Sequence, residues 1–255
     1  MTNAMSGFNI MRFVYIILFS AFWFIPAFSQ GPDLLNTAAD AAYMKDSEKA
    51  MIREINLLRS NPKGYLVYID QYVAETKKNP EKIGSGQMRY SLTFNYELVN
   101  GVEKLKRIDT VWLDKPEDES DAIASLRKDL SSTPPLSILK PDKGIYEAVK
   151  YYARDQDNNA WALKHIGSDG SWPWDRIRKY SPGMAEGNEN IASRFPQPNV
   201  RQVIIQLLVD TGIPGYGHRY NLLDPRWTHV ACFDAGLKEG MYRWLQNFGM
   251  EKGED

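Results

Sequence analysis

Cys232 is the sole cysteine in 255 residues. A chain with one thiol builds neither an intramolecular disulfide framework nor a thiolate-rich zinc module. Its fold must be held by an apolar core, and the material is present: 43% of the residues are hydrophobic and 12% aromatic. The 25% of charged residues matches an ordinary globular protein rather than a disordered one. Cys232 lies in the apolar run Val230-Ala231-Cys232-Phe233, which predicts a buried thiol acting as a small hydrophobe. An intermolecular disulfide is the alternative. A net charge of -1 excludes a globally basic nucleic-acid binder, and no basic stripe suits nucleic acid.

Residues 13–28 are apolar throughout, Arg12 precedes them, and no acid occurs before Asp33. That is a positive n-region followed by an apolar h-region. Ala27-Phe28-Ser29 supplies small residues at the cleavage positions, so residues 1–29 read as a signal peptide and Gln30 as the first mature residue. The run falls short of the ~20 residues of a membrane span, and Pro26 sits near its end. No cysteine lies near the junction to make a lipoprotein. The expectation is a secreted or periplasmic protein with no stable membrane span after signal removal.

Residues 30–44 read as a lead-in. Met51, Ile52, Ile55 and Leu58 then fall on one face at helical spacing and predict a helix over 47–59, with Ser47 as its N-cap. Asn61-Pro62 ends it. A second helical piece covers 65–77. The stretch 78–135 differs in character: it holds Gly84-Ser85-Gly86, an acidic patch at 117–121 and Pro134-Pro135. A strand-like piece at 92–98 and a charged helical one at 121–130 make it an insertion. The acidic patch is too short for a binding tail and reads as a solvated surface.

Past Pro135 the pattern sharpens. Ile145, Ala148, Val149, Tyr152 and Ala153 follow the template of an amphipathic helix, and so do Val200, Val203, Ile204, Leu207 and Leu208 behind an Asn199 N-cap. Gly212 and Pro214 end the latter. Residues 229–235 and 241–247 read as two strands joined by 236–240. Helices flanking a short antiparallel sheet make an α+β pattern.

Four polar residues carry the candidate chemistry: His165, Glu189, Asp210 and His218. Imidazoles and carboxylates together hold a divalent ion or run general acid–base chemistry. Their spacing selects neither, because no two lie on one helix face as in HExxH. Asp210 falls in the last turn of its helix, where the dipole disfavours an acid, so a specific partner is expected. Gly215-Tyr216-Gly217 before His218 allows left-handed backbone that could project the imidazole into a cleft. Arg219 could pair with an acid or a substrate anion. His229 has no acid neighbour and reads as structural. Ser168 and Ser171 lack a nucleophile-elbow string. Trp161, Trp172, Trp174 and Trp227 are core or rim packing, or an aromatic wall for an apolar or sugar ligand.

Taken together, Lys164-His165, Glu189-Asn190-Ile191-Ala192, Leu207-Leu208-Val209-Asp210 and Gly217-His218-Arg219-Tyr220-Asn221-Leu222-Leu223-Asp224-Pro225 resemble the CAP superfamily, the SCP-domain family of cysteine-rich secretory proteins, antigen 5 and pathogenesis-related proteins. The last string is similar to the family's bacterial branch. The resemblance covers about 45–250 with 62–133 unmatched, and leaves 251–255 as a tail. It implies a three-layer α-β-α sandwich with a short central antiparallel sheet, and a cleft lined by His165, Glu189, Asp210 and His218. In some relatives that tetrad holds zinc or magnesium, which implies His165 and His218 as metal ligands. This chain departs at two points: Asn188 separates Gly187 from the acid, with Glu186 as a fallback, and Leu207 and Asp210 replace a Trp and a Glu.

Three readings follow from the resemblance. The first is a secreted CAP-domain protein whose cleft binds a small apolar or cell-envelope ligand. The second is an extracytoplasmic hydrolase, protease-like or metal-assisted, in which a histidine acts as general base. The third is an adhesion or scaffold module with the tetrad as a buried polar network.

Overall fold

In a computed structural model, the structure describes residues 33–78, 88–99, 102–117, 119–158, 164–194, 197–238 and 240–253. The signal-peptide reading of 1–29, Gly84-Ser85-Gly86 and Trp161 lie outside them. The 47–59 periodicity forms α1 (Asp46–Ser60), whose Met51, Ile52, Ile55 and Leu58 are fully buried. Ser47 is not its N-cap. The cap is Lys45, whose backbone N–H donates to Glu48 at 2.8 Å, while the Ser47 hydroxyl donates to Asp234 at 2.9 Å. α2 (Leu66–Lys78) follows.

The unmatched stretch contains an antiparallel hairpin of β1 (Met88–Val99) and β2 (Val102–Glu117), then α3 (Glu119–Ser132). The hairpin forms a two-stranded sheet of its own. α3 buries Ala122, Leu126 and Leu130 at helical spacing.

β3 (Lys140–Pro141) leads into α4 (Lys143–Asn158), which buries the predicted stripe Ile145, Ala148, Val149, Tyr152 and Ala153. α5 (Pro173–Tyr180) and β4 (Met184–Arg194) come next. α6 (Val200–Val209) starts at Asn199, whose side chain accepts from the Gln202 N–H at 2.9 Å while Gln202 accepts from the Asn199 N–H at 3.0 Å. A short turn at Pro214–Tyr216 enters α7 (Gly217–Leu223). β5 (His229–Lys238) and β6 (Met241–Glu251) form the final hairpin, longer and more tightly connected than the sequence pattern implied.

The main sheet has the order β3-β5-β6-β4. The three long strands pair antiparallel, whereas β3 pairs parallel with β5 over two residues, so the sheet is mixed rather than purely antiparallel. Residues 243–249 of β6 are all buried, so both faces of the sheet are covered. Successive residues point to opposite faces. A Cβ on Gly187 would lie 2.5 Å from Ile177, and one on Gly249 2.7 Å from Ile145, which places α5 and α4 on the first face. Asn190 reaches the His218 carbonyl on α7, on the opposite face. α6, α7 and α1 pack together there. The fold is an α+β three-layer sandwich.

The core carries four fully buried arginines, Arg59, Arg176, Arg219 and Arg243. Arg59 donates to the carbonyls of Ser137, Leu222 and Asp224 at 2.9, 3.1 and 2.9 Å. Burial pushes its guanidinium down to about 10 against the charge of Asp224. Cys232 is fully buried, and desolvation, aided by Glu48, drives its thiol well above the usual range. It is the small hydrophobe that its sequence neighbours predicted.

Candidate functional site

Glu189 stands in the middle of β4, the edge strand, with its side chain fully buried on the α4–α5 face. Its carboxylate lies 3.0 Å from His165 Nδ1 and accepts from Arg176 Nη2 at 3.2 Å. Arg176 also donates to the His165 carbonyl at 3.1 Å and lies 3.7 Å from the centre of the Tyr152 ring. Burial, with the charge of Glu189, pushes the Tyr152 phenol up. One guanidinium thus neutralises the buried acid and fixes the loop that carries the imidazole.

On the other side of β4, Asp210 is the C-cap of α6 in left-handed conformation at φ 54°. It is not in the last helical turn, as the pattern suggested. Leaving the helix there turns its carboxylate toward α7. One oxygen lies 2.6 Å from His218 Nδ1, and the other accepts the His218 N–H at 3.0 Å. The expected specific partner of Asp210 is His218. Gly215 takes the left-handed conformation at φ 73°, and so does Tyr216 at φ 53°, while Gly217 is helical. The strained residue before α7 is therefore the tyrosine and not the second glycine.

The two His–acid pairs are stitched together across the strand edge. Asn221 on α7 donates to the Glu189 carbonyl at 3.3 Å and to Asn190 Oδ1 at 2.8 Å. Asn190 donates to the His218 carbonyl at 3.2 Å and to Gln246 at 3.2 Å. The geometry brings His165 together with Glu189 and His218 with Asp210, and links the pairs through Asn190 and Asn221. Arg176 is part of the site that sequence reasoning missed, and Asn190 was quoted only as part of a string with no role given to it. Asn221 sat unremarked inside a quoted string.

With the neutral ring's proton on Nδ1 facing a carboxylate, each Nε2 carries the lone pair. The His165 side chain is 40% exposed and that of His218 18%, so both rings are open to a solute while their acids are not. Zinc and magnesium, implied by the resemblance, need more donors than this set offers. A catalytic zinc centre has three protein ligands. Asp210 commits both oxygens to His218, and Glu189 lies between His165 and Arg176. Among the described residues no three His, Cys, Asp or Glu side chains form a group able to hold a metal. The Nε2 edges of His165 and His218 remain, and this does not make a complete centre.

The other candidates resolve individually. Arg219 is an acid partner and not an anion site: it pairs with Asp129 at 2.8 Å and donates to the carbonyls of Leu208, Val209 and Ala122. It thereby ties α3 to the end of α6 that carries Asp210. Ser168 bonds to Asp155, and Ser171 Oγ lies 3.5 Å from Arg176. His229 Nδ1 meets Thr228 at 2.9 Å. Glu186 pairs with Arg226 at 2.7 Å on the surface, so the fallback register is not used. Trp227 is buried against Phe248, whereas Trp172 and Trp174 stack on each other at the start of α5.

No family model matches the chain, and no curated protein matches it. Among solved structures the chain is similar to an outer surface protein from Borrelia burgdorferi, at 23% identity and a TM-score of 0.39 over 52% of this chain and 90% of that one. It is similar to an extracellular SCP-domain protein from Bacillus anthracis, at 15% identity and a TM-score of 0.38 over 71% of both chains. It is also similar to a cysteine-rich secretory protein from Staphylococcus aureus, at 10% identity and a TM-score of 0.32 over 58% of this chain and 43% of that one.

Proposed function

We propose that the chain is an exported module of the CAP type whose cleft, along the outer edge of β4, binds a small apolar or cell-envelope ligand. The observation that carries this reading is the pair of partly exposed imidazoles, each with Nδ1 held by a buried carboxylate. Such rings are oriented in advance, so they lose little freedom when a polar group of a ligand bonds to Nε2. The apolar body of the ligand would lie against the neighbouring aromatic residues. No helix among the described residues is long and apolar enough to cross a membrane. The second reading, a hydrolase, draws on the His165–Glu189 pair, because a carboxylate-oriented imidazole is the arrangement of a general base. It ranks lower because Ser168, the nearest hydroxyl in sequence, is held by Asp155.

The test compares the parent chain with a His165→Ala/His218→Ala variant. Calorimetry with a sterol, a fatty acid and a peptidoglycan fragment is expected to give binding that the double variant loses by about tenfold or more, with its circular dichroism unchanged. Equal binding by both chains would overturn the cleft reading. Turnover of a peptide library by the parent, lost in the variant, would favour the hydrolase.

A further inference from the structure

Trp172 and Trp174 are stacked with their ring centres 5.1 Å apart and their planes within 9°. Trp174 is 39% exposed, and Trp172 is partly so. Indole rings of this size normally go into the core, and a core lies one turn away at Ile177. A pair kept at the surface is a recognition feature when it is rigid, and this one is. Pro173 between the two is buried at the first position of α5, and the Trp172 N–H donates to Asp175 at 2.9 Å. Arg176, in the same turn, donates to the Ser171 carbonyl at 2.7 Å, immediately before Trp172, and to the His165 carbonyl at 3.1 Å. One guanidinium therefore locks the aromatic pair and the His165 loop into a single frame.

From this juxtaposition we infer that Trp172, Trp174 and His165 form a subsite for a neutral saccharide. The inference rests on the proposed cleft reading and names its ligand class. Three observations select the class. An indole left open on one side covers the C–H face of a pyranose and leaves the hydroxyl edges in water, whereas an acyl chain or sterol needs cover all round. The adjoining imidazole offers Nε2 to a hydroxyl group, a directional bond that an apolar ligand cannot use. The acids nearby, Asp155 on α4, Asp169 in the loop and Asp175 on α5, are matched by Lys164, Arg178 and Lys179, so no net charge selects a sulfated or uronic sugar. Preorganisation by Pro173 and Arg176 keeps the entropic cost of stacking low.

The experiment is calorimetry and tryptophan fluorescence with chitotetraose and cellotetraose, on the parent chain and on the Trp174→Ala, Trp174→Phe and His165→Ala/His218→Ala variants. The expected result is binding of at least one tetrasaccharide with a change in tryptophan emission. Trp174→Ala should weaken it about tenfold and Trp174→Phe far less, in line with the stacking of one aromatic ring. No binding of either sugar to the parent, or equal binding in Trp174→Ala, overturns the subsite. Sterol or fatty-acid binding that survives in Trp174→Ala and is lost in the histidine variant would keep the cleft reading while the saccharide assignment falls.

Discussion

At the scale of single residues the site is a set of buried charges made tolerable by one another. Glu189 and Arg176 are both almost fully buried, so neither is at ease without its partner. Arg176→Leu is expected to destabilise the fold by about 3–5 kcal/mol, read as a lowered midpoint in urea. Little change would mean that water reaches Glu189. Asp210→Asn probes the other pair. Asparagine tolerates the left-handed conformation, so the fold should persist with a loss of about 1 kcal/mol. The amide no longer compels a proton on His218 Nδ1, so 15N NMR of the imidazole should register a mixture of tautomers; an unchanged spectrum would show that another group sets the proton. The four His and acid residues were legible in the sequence because they sit in strings resembling a known family. Arg176 was not, since it is one cation among several on a short polar helix and only folding brings it under Glu189. The partner of Asp210 was foreseeable as a need, but its identity depended on the α6 cap, which no periodicity predicts.

Among the secondary-structure elements, helices were readable and strands less so. α1 and α4 bury the apolar stripe that their sequences show and α6 buries most of its circumference, and such apolar spacing is a local property of the sequence. β2 was missed because VEKLKRIDTVWLDKPE mixes charged and apolar residues without alternation, and its strand character comes from pairing with β1. β3 is two residues long and exists only beside β5. The packing of α5 on β4 shows how tightly elements meet. A Cβ at Gly187 would sit 2.5 Å from Ile177 Cδ1 and 3.0 Å from the Phe248 carbonyl. Gly187→Ala should therefore cost about 1–3 kcal/mol in thermal or urea unfolding. Adding Ile177→Val, which removes Cδ1, should recover part of the loss, and simple additivity of the two changes would refute the contact.

For the whole molecule, pH and chelators give the plainest checks. Tyr65 and Tyr152 are buried, and desolvation, reinforced by Glu54 and Glu189 respectively, raises both phenols above their ordinary value of 10. The unfolded chain loses these protons first, so their contribution is intact below pH 10 and falls above it by about 1.4 kcal/mol per pH unit for each tyrosine. The part of the phenolate absorbance that Tyr65→Phe and Tyr152→Phe remove should rise only with the loss of circular dichroism; its rise ahead of unfolding would contradict their burial. EDTA should leave the melting temperature unchanged, because neither carboxylate of the site is free to ligate an ion; a fall of several degrees would reveal one. The position of β4 has a consequence for molecules in a crowd. An edge strand offers a row of unpaired backbone groups to any other chain. Here Asn221 occupies the Glu189 carbonyl, and Gln206 occupies that of Ser193 at 3.2 Å. Asn221 and Gln206 are thus also sentries against strand-to-strand polymerisation, and a variant stripped of both should betray itself as turbidity and fibrils.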